Sequence, residues 1–168
     1  MSEHGEDTAR LLRALEAYRG ARLSFLQELG CSSNRDPLVE FSERVVAAWL
    51  GGALAKSPVQ KDWDLRLDDG STVQVRYLAN PADRWDNEHH VRFTPGLGWY
   101  ALAVFEAFEL TAVVCFPARS IGSVCHRLGK RHPDQERSLQ LTRANFRALL
   151  AGRPQFEDLG VQFFFPAQ

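Results

Sequence analysis

The chain is poor in cysteine, in net charge and in uninterrupted apolar sequence, and each shortage argues against a class of protein. Three cysteines, Cys31, Cys115 and Cys125, stand among 168 residues with no CxxC pair and an odd total. That pattern speaks against a secreted disulfide framework and for free thiols in a cytoplasmic protein. The net charge is −1, so no single-signed polyelectrolyte is present. The longest apolar run, residues 97–118, carries Glu106 and Glu109 at its middle, where each carboxylate would be expensive in lipid. It reads as two buried strands, and no membrane partner is expected. The polar start SEHGED gives no signal peptide. Repeats, low-complexity tracts and a convincing linker are also missing, so one domain over residues 1–168 is the expectation.

What remains is an ordinary globular composition, 45% hydrophobic and 24% charged. The charge is unevenly placed. Residues 119–153 hold eight Lys/Arg against two acids, which gives either a basic face or a solvated helical surface.

The most informative stretch is residues 61–80, KDWDLRLDDGSTVQVRYLAN. Trp63, Leu65 and Leu67 alternate with polar residues, and so do Val73, Val75 and Tyr77; the period is two on both sides of Asp68-Asp69-Gly70. A three-residue loop with Gly70 in the left-handed region pairs Leu67 with Ser71. This register sets Asp64 opposite Gln74 and puts Arg76 two residues along the same face, while a slip of one residue scatters them. Half-exposed strands carry polar residues on their outer face as a matter of course, so periodicity alone leaves the trio as plain surface.

An aspartate, an acceptor ten residues on, one spacer and a cation, all across a tight hairpin, resembles the signature of the PD-(D/E)XK nuclease superfamily, the fold of many restriction enzymes. The resemblance spans roughly residues 36–142. It implies that Asp64 and a second acidic position hold Mg²⁺ and that the cation positions water and phosphate. Here Gln74 replaces the second acid and Arg76 the lysine. A guanidinium stays protonated and cannot act as a base, although it can clamp a phosphate. Binding therefore survives these replacements more easily than hydrolysis does. The resemblance also implies an acid from the preceding helix, and Glu43 is the candidate. The implied metal ligands are Asp64, Glu43 and the main-chain carbonyl of Val75, and the implied catalytic set is Glu43, Asp64, Gln74 and Arg76.

The rest of the chain supplies the frame. Residues 8–29 read as an accessory helix with Leu11, Leu15, Tyr18, Phe25 and Leu29 on one stripe, broken at Arg22. The next helix is capped by Asp36, starts with Pro37 and closes at Gly51-Gly52. Its apolar arc centres on Leu38, Phe41, Val45, Ala48 and Trp49, with Glu43 at the margin. Residues 79–95 read as a polar loop beside the hairpin's open face. In it Arg84 and Trp85 suit phosphate gripping and base stacking, and Lys130 and Arg131 begin a basic loop further on. Adjacent His89 and His90 would point to opposite faces of a strand, a poor geometry for a zinc site with Glu88. Cys125-His126 offers no ordered nucleophile–base pair.

The expected fold is α/β (α+β), a mixed central sheet flanked by helices. It has an αβββαβ core over 36–142, an accessory helix within 1–35, and a C-terminal helix and strand within 143–168. Three functions fit: a Mg²⁺-dependent endonuclease acting on DNA, as a homodimer or with a partner chain; a degenerate nuclease fold binding DNA or protein without cutting; and a structural protein whose polar hairpin face is only surface.

Overall fold

A computed structural model describes residues 3–55, 62–130 and 138–167, with side chains from residue 6 onward. The chain falls into two compact units, Met1–Phe41 and Ser42–Gln168, with the boundary inside a helix.

The first unit is built on α1 (Glu3–Glu28), closed by Gly30 at φ +64. A return segment leads to α2 (Pro37–Leu50), where the Asp36 carboxylate accepts the Leu38 N–H at 2.8 Å as the N-terminal cap. Arg22, which interrupts the apolar stripe, donates to the carbonyls of Ser33 (2.6 Å) and Arg35 (2.9 Å) and so pins that return segment. Phe25 packs on Phe41 with ring centroids 5.9 Å apart. The stripe expected to be buried is covered only at this end: Leu11, Leu15 and Tyr18 are 57–61% exposed.

In the second unit β1 (Ala53–Leu54), β2 (Leu65–Arg66), β3 (Thr72–Asn80), β5 (Trp99–Glu106), β6 (Glu109–Pro117) and β8 (Gln162–Phe164) form a mixed six-stranded sheet in the order β1-β2-β3-β5-β6-β8. β3 and β5 run parallel, and every other neighbouring pair is antiparallel. Between β3 and β5 the chain crosses through β4 (His89–Arg92), which pairs with β7 (Ser138–Leu141) in a separate two-stranded sheet. The strand over 138–141 is thus real but lies outside the central sheet, and the run 79–95 is not loop throughout. Only Val91 in β4 is a buried aliphatic, too little apolar content in four residues for periodicity to reveal a strand. The remaining helices are a 3₁₀ turn (Ala118–Ser120), α3 (Ile121–Arg127), α4 (Arg143–Ala151) and α5 (Arg153–Glu157). Thr142 and Asn145 form the capping box of α4.

One face of the sheet carries Leu78, Tyr100, Leu102, Val104, Val114 and Phe116. It packs against Val91, Leu139 and Leu141 of the small sheet, Ile121 and Val124 of α3, and Phe146 and Leu149 of α4. The other face is lined by small, fully buried residues, Val73, Ala101, Ala103, Val113 and Cys115; Trp49 of α2 meets Phe164 there. Covering both faces explains the unbroken apolar runs of β5 and β6. Among the described residues no helix is long and apolar enough to cross a membrane.

Candidate functional site

The hairpin takes the register its sequence dictates. Leu65 lies opposite Val73 and Arg66 opposite Thr72; the Leu67 N–H reaches the Ser71 carbonyl at 2.9 Å. Gly70 sits at φ +82, a conformation that glycine adopts without strain. Asp69 holds the turn by accepting the Ser71 N–H at 2.9 Å and its hydroxyl at 2.5 Å, and these bonds keep its carboxyl below the usual range.

Asp64 stands at the point where β2 ends and β3 continues. Its own backbone bridges two neighbours: its N–H donates to the Val73 carbonyl at 2.9 Å and its carbonyl accepts the Ala55 N–H at 2.8 Å. One carboxylate oxygen, Oδ2, then does what a further residue of β2 would have done, accepting the Val75 N–H at 2.7 Å. The same oxygen takes the side-chain amide of Gln74 and Nη1 of Arg76 at 3.1 Å. Arg76 Nη1 also donates to the Val75 carbonyl at 2.7 Å. Asp64, Gln74 and Arg76 are therefore one hydrogen-bonded unit. Gln74 is only 8% exposed, whereas the Arg76 side chain is 47% exposed, so the unit opens to solvent through its guanidinium.

Two further groups belong to this neighbourhood, and the sequence did not single them out together. Tyr100 is the register partner of Gln74 across the β3–β5 pair and shares its face. His89 of β4 meets it from the covering sheet, with Nε2 2.7 Å from the Tyr100 hydroxyl. Burial, the Arg76 charge and His90 push the His89 pKa down to about 4, while burial raises that of Tyr100 to about 12. Both are neutral at physiological pH. The only sequence signal for this pair was the parity of His89 and His90, which do face opposite ways: His89 inward and His90 to solvent.

The other expected site residues are placed as follows. Glu43 is not at the margin of α2 but on its most buried arc with Ser42 and Val46, 7% exposed and engaged in interactions of its own. It makes no hydrogen bond or ion pair with Asp64, Gln74 or Arg76. Arg84 is at the surface in an exposed pair with Asp86 at 2.8 Å. Trp85 is turned inward, its indole N–H donating to Glu106 at 2.8 Å and its ring packed on Phe146, so it is not presented to a base. Lys130 is half-buried, and Arg131 lies outside the described residues. His90 is exposed, Glu88 bonds Gln140 at 2.5 Å, and among the described residues no three His, Cys, Asp or Glu side chains are grouped to hold a metal. Cys115 and Cys125 are buried with their thiol pKa values raised by desolvation, which leaves them poor nucleophiles.

As arranged, the cluster does not fit Mg²⁺. That ion needs near-octahedral oxygen ligands. Here Asp64 Oδ2 is filled by three donors and the Val75 carbonyl is taken by Arg76. The Gln74 amide must turn its nitrogen to the carboxylate, because its oxygen would be repelled there. The arrangement instead offers a fixed cation, held by an acid and a carbonyl, on a side chain that is about half exposed.

No family model matches the chain, and no curated protein matches it.

Proposed function

We propose that the protein is a DNA-binding module on a restriction-endonuclease-like hairpin, in which Arg76 has taken the place of the metal, so that it holds a phosphodiester without cutting it. One observation carries this reading: Arg76 Nη1 spans Asp64 Oδ2 and the Val75 carbonyl, the two oxygens that the nuclease resemblance gives to Mg²⁺. A guanidinium supplies positive charge to a phosphate and positions it bidentately. It offers no coordinated water to ionise, which is the service a hydrolytic metal provides. Asp64 then orients the cation. Arg84 and Lys130 would add phosphate contacts. A cytoplasmic setting belongs to the same proposal, in keeping with three free thiols, and so does a homodimer or partner chain on the DNA.

The test combines binding and cleavage. Duplex DNA should be retained equally with EDTA and with Mg²⁺, and plasmid incubated with Mg²⁺ or Mn²⁺ should stay intact. Arg76→Gln should weaken binding by about tenfold, the worth of one charge-assisted contact. Restoring Gln74→Glu with Arg76→Lys should bring metal-dependent nicking; if the double variant cuts nothing, the lapsed-nuclease part of the reading goes. Cleavage by the wild-type chain that Asp64→Ala abolishes would instead establish a Mg²⁺-dependent endonuclease.

A further inference from the structure

A groove of about 540 Å³ lies at the end of the central sheet where β5 begins and β6 finishes, and Trp49, Trp99, Arg119, Glu157, Gln162 and Phe163 are among its walls. All of them belong to the unit Ser42–Gln168. Topology brings them together. Trp99 has the parity of Ala101 and Ala103 along β5, and Gln162 pairs with Cys115, so both lie on the sheet face of small residues. There Trp49, in the last turn of α2, packs on Phe164. The far wall is the turn over 157–160, closed by the Gly160 N–H on the Glu157 carbonyl at 2.8 Å and pinned by the Ser120 hydroxyl on the Leu159 carbonyl at 2.6 Å. Arg119 lies along that wall, its Nη2 3.5 Å from where a Cβ on Gly160 would stand. The groove is thus built in advance of any ligand, and its volume is that of a small-molecule site.

The lining specifies the chemistry of an occupant. Trp49 and Trp99 are half-buried, yet neither indole N–H has a partner among the described residues, and nor has the Gln162 amide. The Arg119 guanidinium is exposed and makes no ion pair among the described residues, whereas Glu157 on the rim is already engaged by Arg153 at 2.6 Å. A purely apolar occupant would strip water from these donors and return nothing. A cation, which bare aromatic walls would welcome, is repelled by Arg119. A flat ring with acceptor atoms on its edge and an anionic group satisfies all of them. We propose that the groove binds a nucleotide, with its base stacked on the indoles of Trp49 and Trp99 and its phosphate held by Arg119. Every base has a π-face for such stacking, and a guanidinium takes phosphate oxygens in pairs. A free mononucleotide and an unpaired nucleotide in a strand offer this same chemistry. The site does not rest on the hairpin reading, because Arg76 shares the sheet face of Gln74 and Tyr100, opposite to that of Trp99.

NMR of the four indole N–H groups of the full chain tests it. Deoxyadenosine monophosphate should shift the signals of Trp49 and Trp99 saturably and leave those of Trp63 and Trp85 in place. Arg119→Gln should weaken that binding about tenfold without changing the binding of deoxyadenosine, which has no phosphate. Trp99→Leu should weaken both ligands about tenfold. Arg119→Gln alters an exposed side chain with no partner, so it keeps the fold even if Trp99→Leu does not, and the same spectrum checks both. Arg76→Gln should change neither ligand, which separates a failure here from a failure of the hairpin as a DNA site. Shifts with the monophosphate identify a free nucleotide as the source, and shifts with a short unpaired oligodeoxyadenylate alone identify a strand; either supports the site. Two indoles unmoved by both ligands, an equal response to inorganic phosphate alone, equal shifts at all four indoles, or an Arg119→Gln variant that binds as wild type does would each overturn the proposal. So would loss of binding in Arg76→Gln, because the nucleotide would then sit at the hairpin.

Discussion

At the scale of single residues, the Asp64 cluster is governed by one permanent charge. Arg76 neutralises Asp64 and at the same time opposes protonation of His89. Removing it with Arg76→Gln should therefore raise the His89 pKa above its value of about 4, read by NMR titration of the imidazole. An unmoved titration would show that the guanidinium does not face His89. The folded-state pKa of His89 lies below the ordinary value of 6.5. The unfolded chain thus takes up the proton first, and stability present above pH 6.5 is lost as pH falls towards 4. The loss is at most about 3 kcal/mol from the size of the shift, and smaller once partial solvent access is discounted. Urea unfolding at stepped pH should show this slope, and His89→Gln should flatten it. If the variant keeps the wild-type slope, another group is titrating.

At the scale of elements, the site is set by how β1 and β2 approach each other. Gly52 sits at φ +123, and a Cβ there would lie 2.6 Å from the Arg66 carbonyl oxygen. Gly52→Ala should cost about 2–4 kcal/mol, from backbone strain together with the clash, and should loosen Asp64 with β2. A melting temperature within a degree or two of wild type would contradict this. The β5–β6 hairpin shows the opposite case, strain that can be relieved. Ala107 and Phe108 occupy φ +51 and +64 in its two-residue turn, and Phe108 is 81% exposed. Substituting Asn-Gly, which favours that turn, should stabilise the protein by about 1 kcal/mol in chemical denaturation. The contrast also explains what the sequence disclosed. The β2–β3 register and the Asp64–Gln74–Arg76 convergence were legible because alternation and Gly70 fix them locally. Glu43 was misplaced because Ser42 and Glu43, both polar, occupy the buried arc of α2 against the hydropathy pattern. Tyr100 and His89 were not joined because their contact depends on β4 leaving the main sheet to pair with β7, a long-range choice that four mostly polar residues do not announce.

At the scale of the whole molecule, part of the basic excess of residues 119–153 is engaged within the fold among the described residues. Arg143 is drawn inward to the carbonyls of Ala82 and Asp83 and to Glu106. Arg153 is tied to Glu157 at 2.6 Å, and Arg127 to the Gln155 carbonyl at 3.2 Å. Of these three, Arg143 is held inward, whereas Arg127 and Arg153 stay exposed while tying the C-terminal helices together. With a net charge of −1, long-range steering towards DNA is weak, and affinity must come from a few local contacts. If Arg76, Arg84 and Lys130 each neutralise one phosphate, log K against log salt should fall with a slope of about −3, since each contact contributes about −0.9. Lys130→Ala should reduce that slope by about one and weaken binding alike on unrelated sequences, because a phosphate contact carries no base information. Trp85→Phe should leave affinity unchanged, as its indole serves Glu106 and Phe146. Fluorescence anisotropy on a short duplex between about 50 and 200 mM salt measures all three. A slope near zero would remove DNA from the account and return the Asp64–Arg76 pair to the role of an edge clasp, closing the ladder where β2 stops.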